Sequence, residues 1–264
     1  MPEKQLLVPP DPSPEEWLTP DRVGRLQKAL GNSLELLALS GQLQLLLTYW
    51  MRIELSREAI EDVRIWPESE RDAEVDERLE TWLAKRDPRE LGLDDRQLHL
   101  KLSVEPGSLR WARWQWQHRL GSLFLQRKDS LDQASCRLLR LTDKHLAHEL
   151  YHRVLAEEES FDMLSSQYGE GPERLHGGLI PLQSLESMPS GLAVLLLALS
   201  PGEINPPVRF SKGFALVQLL QFQPATLNLQ IETTLLKQEL NAWLNAMLPS
   251  LCKHLGLASL LPDL

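Results

Sequence analysis

The sequence predicts an α+β fold with an all-helical N-terminal domain, a C-terminal helix and a small domain built on an antiparallel sheet. Apolar residues recur every three or four positions through much of 21–128 and again through 227–255, which is the spacing of amphipathic helices. Between these regions, SCRLLRL at 135–141 and PPVRFSKGFALVQLLQF at 206–222 have the length and composition of strands. The second stretch contains turn residues at its centre and therefore predicts a hairpin.

Prolines, glycines and capping residues set the expected element boundaries. Residues 1–20 hold six prolines and predict an extended lead-in, after which Thr19 or Asp21 caps a helix. Gly41 predicts a bend between two core helices, and Ser56 predicts the start of another helix. The pair Pro106 and Gly107 predicts a break before the helix that covers residues 108–128.

Composition disfavours several classes of protein. The 264 residues carry 28 Lys and Arg against 37 Asp and Glu, a net charge of −9, which repels nucleic acid and acidic lipid. Cys136 and Cys252 form no C-x-x-C motif and support neither a disulfide framework nor a cysteine zinc site. The N-terminal MPEKQLLVPPDPSPEEW lacks the basic and apolar segments of a secretory signal. We therefore expect a cytoplasmic protein without nucleic-acid binding or membrane insertion; the oligomeric state stays open.

Two motifs suggest chemistry that their surroundings do not support. HELYH places His148 and His152 one helical turn apart with Glu149 between them, as in the HExxH pattern of zinc hydrolases. No third ligand is marked, so exposed histidines on a solvated helix are the favoured interpretation, and we expect no metal or other cofactor. Residues 107–128 combine arginines with tryptophans and contain no acid, but their apolar spacing favours a core helix over a nucleic-acid or membrane surface.

A glycine-rich stretch, YGEGPERLHGGLIP, covers residues 168–181 and contains four of the 14 glycines of the chain. A phosphate-binding loop needs GxxxxGK followed by Ser or Thr. Here the lysine is missing, and Glu170 and Glu173 bring negative charge to the loop. The sequence also lacks a nucleophile elbow. These glycines therefore predict a tight turn, and neither nucleotide binding nor covalent hydrolysis is indicated.

An ordered series of short motifs runs through the same part of the chain. Its members are Ser160-Phe161, Leu164, Tyr168, Gly177-Gly178-Leu179, Ser200-Pro201-Gly202-Glu203-Ile204, Pro206-Pro207-Val208 and Gly213-Phe214. In order and spacing the series resembles the parvulin type of peptidyl-prolyl cis-trans isomerase. With its helical N-terminal region, the whole layout resembles foldase chaperones of the SurA type, and phrases such as LQRKDSLDQ resemble a cyanobacterial group of parvulin-containing proteins.

The resemblance implies a division of the chain into four parts. Residues 1–20 are the lead-in, 21–133 a helical chaperone-like domain, 134–225 a parvulin-like domain, and 226–264 a helix that packs back on the helical domain. The implied activity is isomerisation of X-Pro bonds in proline-containing polypeptide clients. It needs no cofactor, because rotation about an amide involves no metal or covalent intermediate.

The resemblance also implies which residues form the proline pocket. Met188 matches the pocket methionine, Leu192 the position usually held by an aromatic residue, and Ile180 falls near the pocket-wall leucine. Phe214 lies in the last strand beside the pocket, and Glu170 corresponds to the acid or thiol position before the glycine pair. For each apolar residue, an ordinary place in the core is the alternative.

Two histidines that the family usually carries are replaced in this chain. The resemblance places Arg137 at the histidine of the first strand and Ala215 at the histidine of the last. The family histidines form a hydrogen-bonded pair that organises the site. Two functions therefore stay open: an active peptidyl-prolyl isomerase, and a catalytically weak or inactive module that binds client polypeptides as a chaperone or adaptor.

Overall fold

The computed structural model describes residues 12–88, 92–189 and 191–257. These residues divide into two compact units, one formed by 12–121 together with 228–257 and the other by 122–227. The first unit is helical and the second carries an antiparallel sheet, so the predicted α+β class is confirmed. None of the helices in the described ranges is both long enough and apolar enough to cross a membrane.

The first unit, called the helical unit below, consists of seven helices within its described residues. They are α1 (Pro14–Trp17), α2 (Pro20–Leu30), α3 (Leu34–Leu39), α4 (Leu43–Glu61), α5 (Glu68–Leu83), α6 (Asp95–Trp116) and α11 (Leu229–His254). Ser13 caps α1, so the expected extended lead-in is wrong for residues 14–17, while 1–11 lie outside the described residues. Thr19 caps α2, as predicted. Gly41, with a φ of 71°, lies between α3 and α4 and confirms the predicted bend.

Helices α4 and α6 pack closely where the sequence predicted element boundaries. Ser56 lies inside α4, is buried, and donates from Oγ to the Ser103 carbonyl at 2.9 Å. Helix α6 continues through Pro106 and Gly107 without interruption. A Cβ at Gly107 would overlap Ser56 Oγ, so the glycine permits this close approach. The predicted helix start at Ser56 and the predicted break at Pro106 are therefore both wrong. At Pro106, the packing of α6 against α4 outweighs the cost of a proline inside a helix, which is about 3 kcal/mol.

Glu58 and three tryptophans of the helical unit form one cluster of hydrogen bonds and ring contacts. The Glu58 carboxylate accepts hydrogen bonds from Nε1 of Trp17 at 2.9 Å and of Trp111 at 2.8 Å. The ring of Trp243, on α11, lies 5.2 Å from the ring of Trp17 and 5.2 Å from that of Trp111. Helix α11 thereby packs on α1 and α6. Residues 258–264 of the predicted C-terminal segment 226–264 lie outside the described residues.

The arginines of the tryptophan-rich helix pair with carboxylates. Arg110 contacts Glu70 at 2.6 Å and Glu74 at 3.2 Å, and Arg113 contacts Glu232 at 2.9 Å. These pairs offset the positive charge of a segment that contains no acid of its own. The burial of Trp111 and Trp116 in the same helix supports the core interpretation of residues 107–116. The single helix expected over 108–128 is wrong, because α6 ends at Trp116 and a separate helix begins at Leu120.

The second unit, called the sheet unit, contains four helices and four strands within its described residues. They are α7 (Leu120–Leu131), β1 (Gln133–Leu141), α8 (Lys144–Leu155), α9 (Phe161–Tyr168), β2 (Leu179–Ser184), α10 (Leu192–Leu197), β3 (Val208–Phe210) and β4 (Gly213–Gln223). The strands pair antiparallel in the order β2-β1-β4-β3. The hairpin predicted at 206–222 is β3 and β4. The domain expected at 134–225 lies within this unit, which also includes most of α7.

Each face of the sheet carries its own apolar core. Leu139, Leu141 and Leu216 face helices α8 and α9. Alternate residues point to the other side, which we call the pocket face and which packs against α10. The pocket-face residues of β1 and β4 in this core are Ala134, Cys136, Leu138, Ala215, Val217 and Leu219. The sheet therefore separates two apolar cores, and three of the five predicted site residues, Ile180, Met188 and Leu192, belong to the core on the pocket face.

Candidate functional site

Three of the five predicted site residues meet on the pocket face. They belong to one buried cluster: Ile180 of β2, Met188 of the segment between β2 and α10, and Leu192 of α10. Phe210 of β3 is part of the same cluster. Leu192 is fully buried, whereas Ile180, Met188 and Phe210 keep 9%, 8% and 8% of their surface exposed. We call these four residues the apolar wall. The wall is therefore almost entirely buried, and its small exposed part comes from Ile180, Met188 and Phe210.

The other two predicted site residues, Glu170 and Phe214, lie outside the apolar wall. They line a cavity of about 240 Å³ at the end of the sheet, which we call the end cavity. Its wall also includes Arg140, Thr142, Pro172, Phe210 and Lys212. Phe214 packs against the helix-covered core. Phe210 belongs to both the apolar wall and the lining of the end cavity, so it joins the two parts of the candidate site.

The carboxylate of Glu170 holds the glycine-rich loop to the end of β1. Its Oε1 accepts from the backbone N and the Oγ1 of Thr142, both at 3.0 Å. The backbone N of Glu170 donates to the Arg140 carbonyl at 3.0 Å. These contacts give the side chain a positioning role at the mouth of the end cavity.

A partly buried ion pair between Arg140 and Glu173 lies beside the end cavity, with the carboxylate buried and the guanidinium about one third exposed. Arg140 donates from Nε to Oε1 at 2.8 Å and from Nη2 to Oε2 at 2.7 Å, which is the bidentate geometry of strong guanidinium–carboxylate pairs. Arg140 also lies opposite Ala215 in the β1–β4 ladder. Sequence reasoning missed this pair because its members are 33 residues apart. Strand alternation could have placed Arg140 on the same face as Cys136 and Leu138.

Arg137 is not on the pocket face, so its placement at a site histidine is wrong. Its guanidinium reaches Asp162 of α9 at 3.7 Å, on the side of the sheet that the helices cover. Ala215 faces the opposite side. A shift of one residue along a strand reverses the direction of the side chain, so the neighbouring Cys136 and Leu138 face the pocket instead.

The thiol of Cys136 lies inside the pocket-face core. Burial raises its pKa to about 12, and the negative charge of Glu173 contributes in the same direction. A thiol with so high a pKa stays protonated at neutral pH and is a poor nucleophile. The position therefore provides packing to the site and no covalent chemistry.

The glycine pair forms a tight turn before β2, as predicted. Gly177 and Gly178 have φ values of 61° and 77°, which favour glycine. A Cβ at Gly178 would lie 2.7 Å from the Leu138 carbonyl oxygen and from Ser165 Oγ. The turn thus brings the loop against β1 and α9 and sets the position at which Ile180 enters the apolar wall.

The histidines of HELYH, His148 and His152, are exposed on α8. Within the described ranges, no group of three or more His, Cys, Asp or Glu side chains is arranged to hold a metal ion. The motif therefore follows the pattern of a solvated helix.

Comparison with known proteins finds sequence similarity for a large part of the sheet unit. Residues 139–221 match the family model described as Rotamase, PPIC-type PPIASE domain. The protein named Chaperone SurA from Xanthomonas oryzae pv. oryzae is 31% identical over 68 residues, which cover 26% of this chain and 15% of that protein. Chaperone SurA from Xylella fastidiosa is 29% identical over 69 residues, with the same coverage of 26% and 15%. This chain thus matches only 15% of the length of these curated relatives.

Two solved structures align with this chain over more than that region. The peptidylprolyl isomerase PrsA from Bacillus anthracis aligns with 78% of this chain and 95% of its own, at 13% identity and a TM-score of 0.42. The foldase protein PrsA from Streptococcus pneumoniae aligns with 84% of this chain and 88% of its own, at 12% identity and a TM-score of 0.43.

Proposed function

We propose that this chain, whose residues 139–221 form a parvulin-type domain, is a peptidyl-prolyl cis-trans isomerase acting on X-Pro bonds of polypeptide clients. The observation that carries the proposal is the apolar wall. Ile180, Met188, Leu192 and Phe210 form one apolar cluster within a domain of this type, although they come from separate parts of the chain, and three of them keep a small exposed area. The chemistry of the wall suits a proline ring, which has no donor and a compact apolar body.

The proposed mechanism is rotation about the X-Pro amide without covalent chemistry. The barrier of about 18–20 kcal/mol comes from the partial double bond of the amide. The apolar wall holds the proline ring in a dry environment while the preceding part of the peptide turns. Arg140 and Lys212, which line the adjoining end cavity, supply N–H donors for peptide carbonyl oxygens. Catalysis requires that these contacts favour the twisted amide over both planar isomers.

Substitution of Met188 tests the proposed wall. We expect wild-type protein to accelerate cis-trans exchange of an X-Pro tetrapeptide, measured by NMR exchange spectroscopy, and Met188→Ala to lower the catalysed rate about tenfold or more. The loss follows because truncation removes apolar contact with the ring. Met188→Leu keeps a similar volume and serves as the matched control. An uncatalysed rate with wild type would refute the activity, and full activity in Met188→Ala would move the site away from the wall.

A second candidate function is client binding without turnover. It is favoured by one observation: the described pocket-face positions of β1 and β4 hold Cys136, Leu138, Arg140, Ala215 and Val217, and no imidazole. In that case, X-Pro peptides shift the NMR signals of the apolar wall and the protein suppresses client aggregation, while exchange stays at the uncatalysed rate. Measuring binding and exchange on the same peptide separates the two functions.

We also propose a reducing, cytoplasmic location and a preference for proline-containing segments. Cys136 and Cys252 are both buried free thiols, which fits a compartment where disulfides do not form. Cell fractionation tests the location. Peptides that differ only by proline or alanine at one position test the preference, and equal binding of the two would contradict it.

A further inference from the structure

The helical unit contains a cavity with an excess of positive charge. The cavity has a volume of about 520 Å³ and is lined by residues of α4, α5, α6 and α11 and of the segment that follows α5. Five cationic side chains line it: Arg52, Arg78, Arg86, Lys101 and Lys237. The one acid in its wall is Glu105. We call this feature the cationic cavity; all its lining residues belong to the helical unit.

Glu105 does not balance this charge. It is shared by Arg78 at 3.4 Å and Lys237 at 3.0 Å. Arg52 donates to two neutral side chains, Asn241 at 2.5 Å and Ser108 at 3.4 Å. Within the ranges the structure describes, neither Arg52 nor Arg86 nor Lys101 forms an ion pair. The chain as a whole carries a net charge of −9, so the cavity is locally positive in a protein that is negative overall.

Arg52 shows that part of this charge is poorly solvated. Desolvation lowers the pKa of its guanidinium, and the distant charge of Glu105 offsets the effect only in part. A charge that has left water for neutral hydrogen-bond partners alone is costly, so an incoming anion beside it would be stabilised.

The cavity also has an unused neutral donor and apolar walls. Nε1 of Trp82 is shielded from solvent and has no acceptor within the described structure. Leaving such a donor unsatisfied costs about 1–3 kcal/mol, which an oxygen of a ligand would recover. Leu102, Val104 and Leu240 supply apolar surface around it. The lining therefore suits a group with anionic oxygens at one end and carbon atoms beside them.

An exposed apolar stripe leads into the cavity along α4. Leu45, Tyr49 and Arg52 are spaced four and three residues apart, so they share one face of the helix. Leu45 is 69% exposed and Tyr49 42% exposed, and Tyr49 also lines the cavity. Seven helical residues span roughly 10 Å, which is the length of about three residues of extended chain.

We propose that the cationic cavity binds an acidic side chain of a polypeptide segment in the extended polyproline II conformation, in which side chains three residues apart share one face, so that an apolar side chain three residues away lies on Leu45 and Tyr49. The ligand class follows from charge complementarity at one end and apolar surface about 10 Å away, a separation that an extended peptide bridges. The proposal rests on the proposed function only in taking a polypeptide as the ligand. It adds a second recognition element, for acids, in a unit that does not contain the apolar wall.

The test uses a fluorescein-labelled, proline-free hexapeptide with leucine and aspartate three residues apart, and the same peptide with asparagine. We expect fluorescence anisotropy of the full chain to show at least tenfold tighter binding of the aspartate peptide, weakening as salt is raised. The double substitution Arg86→Glu and Lys101→Glu, at two exposed positions, should abolish that preference. Lys28→Glu, an equally exposed reversal on α2 away from the cavity lining, should keep it. Circular dichroism checks that each variant is folded.

Three results would overturn the proposal: equal affinity for the two peptides, unchanged binding by the double variant, or binding of inorganic phosphate at the cavity with no binding of either peptide. X-Pro exchange is measured on the same samples with an acid-free tetrapeptide. The double variant should keep the wild-type exchange rate, because its substitutions lie in the helical unit. Acid-dependent binding without any exchange would contradict the isomerase proposal alone, and the reverse would contradict the cavity proposal alone.

Discussion

At the scale of single residues, the titration of Cys136 reports on how dry the pocket-face core is. The thiol is fully buried, and its pKa is raised to about 12 from an ordinary value of 9.0. Unfolded chain loses the thiol proton near pH 9, whereas the folded chain keeps it until about pH 12. Folded protein therefore binds more protons in this window, and stability must fall as pH rises through it.

The prediction is a pH-dependent stability difference between wild type and Cys136→Ala. The free energy of unfolding of wild type should fall relative to the variant by up to about 1.4 kcal/mol per pH unit between pH 9 and 12. Urea titrations at several pH values, followed through NMR signals of β1, measure it. Groups elsewhere titrate equally in both proteins and cancel in the difference. Parallel stability curves would mean that the thiol is hydrated in the folded state.

At the scale of elements, the contact of α4 with α6 depends on a missing side chain. A Cβ at Gly107 would overlap the Oγ of Ser56 and lie 3.0 Å from its Cα, so the clash involves backbone that cannot swing away. The same substitution at Gly24 of α2 meets nothing within 4 Å. These two helical glycines therefore separate the effect of packing from that of helix propensity.

Gly107→Ala should destabilise the helical unit by about 1–3 kcal/mol through overpacking, whereas Gly24→Ala should stabilise it by up to about 1 kcal/mol. Tryptophan fluorescence during urea unfolding measures both. All eight tryptophans precede residue 117 or lie in α11, so the signal reports on this unit alone. Stabilisation of equal size at both positions would show that α4 and α6 separate easily.

Element types were easier to predict than the direction of individual side chains. The periodicity of residues 135–141 and 206–222 located three strands of the sheet, because strand composition is a local property. The break expected at Pro106 is absent because packing of α6 against α4 stabilises the continuous helix. The local sequence around Pro106 does not show this packing. Arg137 was matched to a site position by sequence order alone, which does not show the face of the sheet to which a strand side chain points. Arg140 and Glu173 were missed because their pairing depends on the fold of the intervening chain.

At the scale of the whole molecule, Glu58 connects the two separated parts of the helical unit. Its carboxylate satisfies the indole N–H groups of Trp17 and Trp111, and Trp243 of α11 packs on both rings. Arg22 also donates to this carboxylate. One side chain of α4 thus organises contacts from the first helix to the last.

Glu58→Ala should lower the free energy of unfolding of the helical unit by about 2–4 kcal/mol, because two indole donors lose their acceptor. Glu58→Gln should cost less, since its amide oxygen can still accept from one indole. Glu61→Ala, at an exposed position on the same helix, is the matched control and should change stability by less than about 0.5 kcal/mol. Urea unfolding followed by tryptophan fluorescence measures all three. Equal stability of Glu58→Ala and wild type would show that the indoles find other acceptors.

The division of the helical unit into residues before 122 and after 227 has a consequence for how the protein is made. A ribosome adds about 5–20 residues per second, so roughly 5–20 seconds separate the synthesis of α6 from that of α11. During this interval the apolar faces of α4 and α6 lack the helix that covers them, while the sheet unit is being synthesised. A protein proposed to assist the folding of others therefore passes through a stage at which its own helical unit is incomplete.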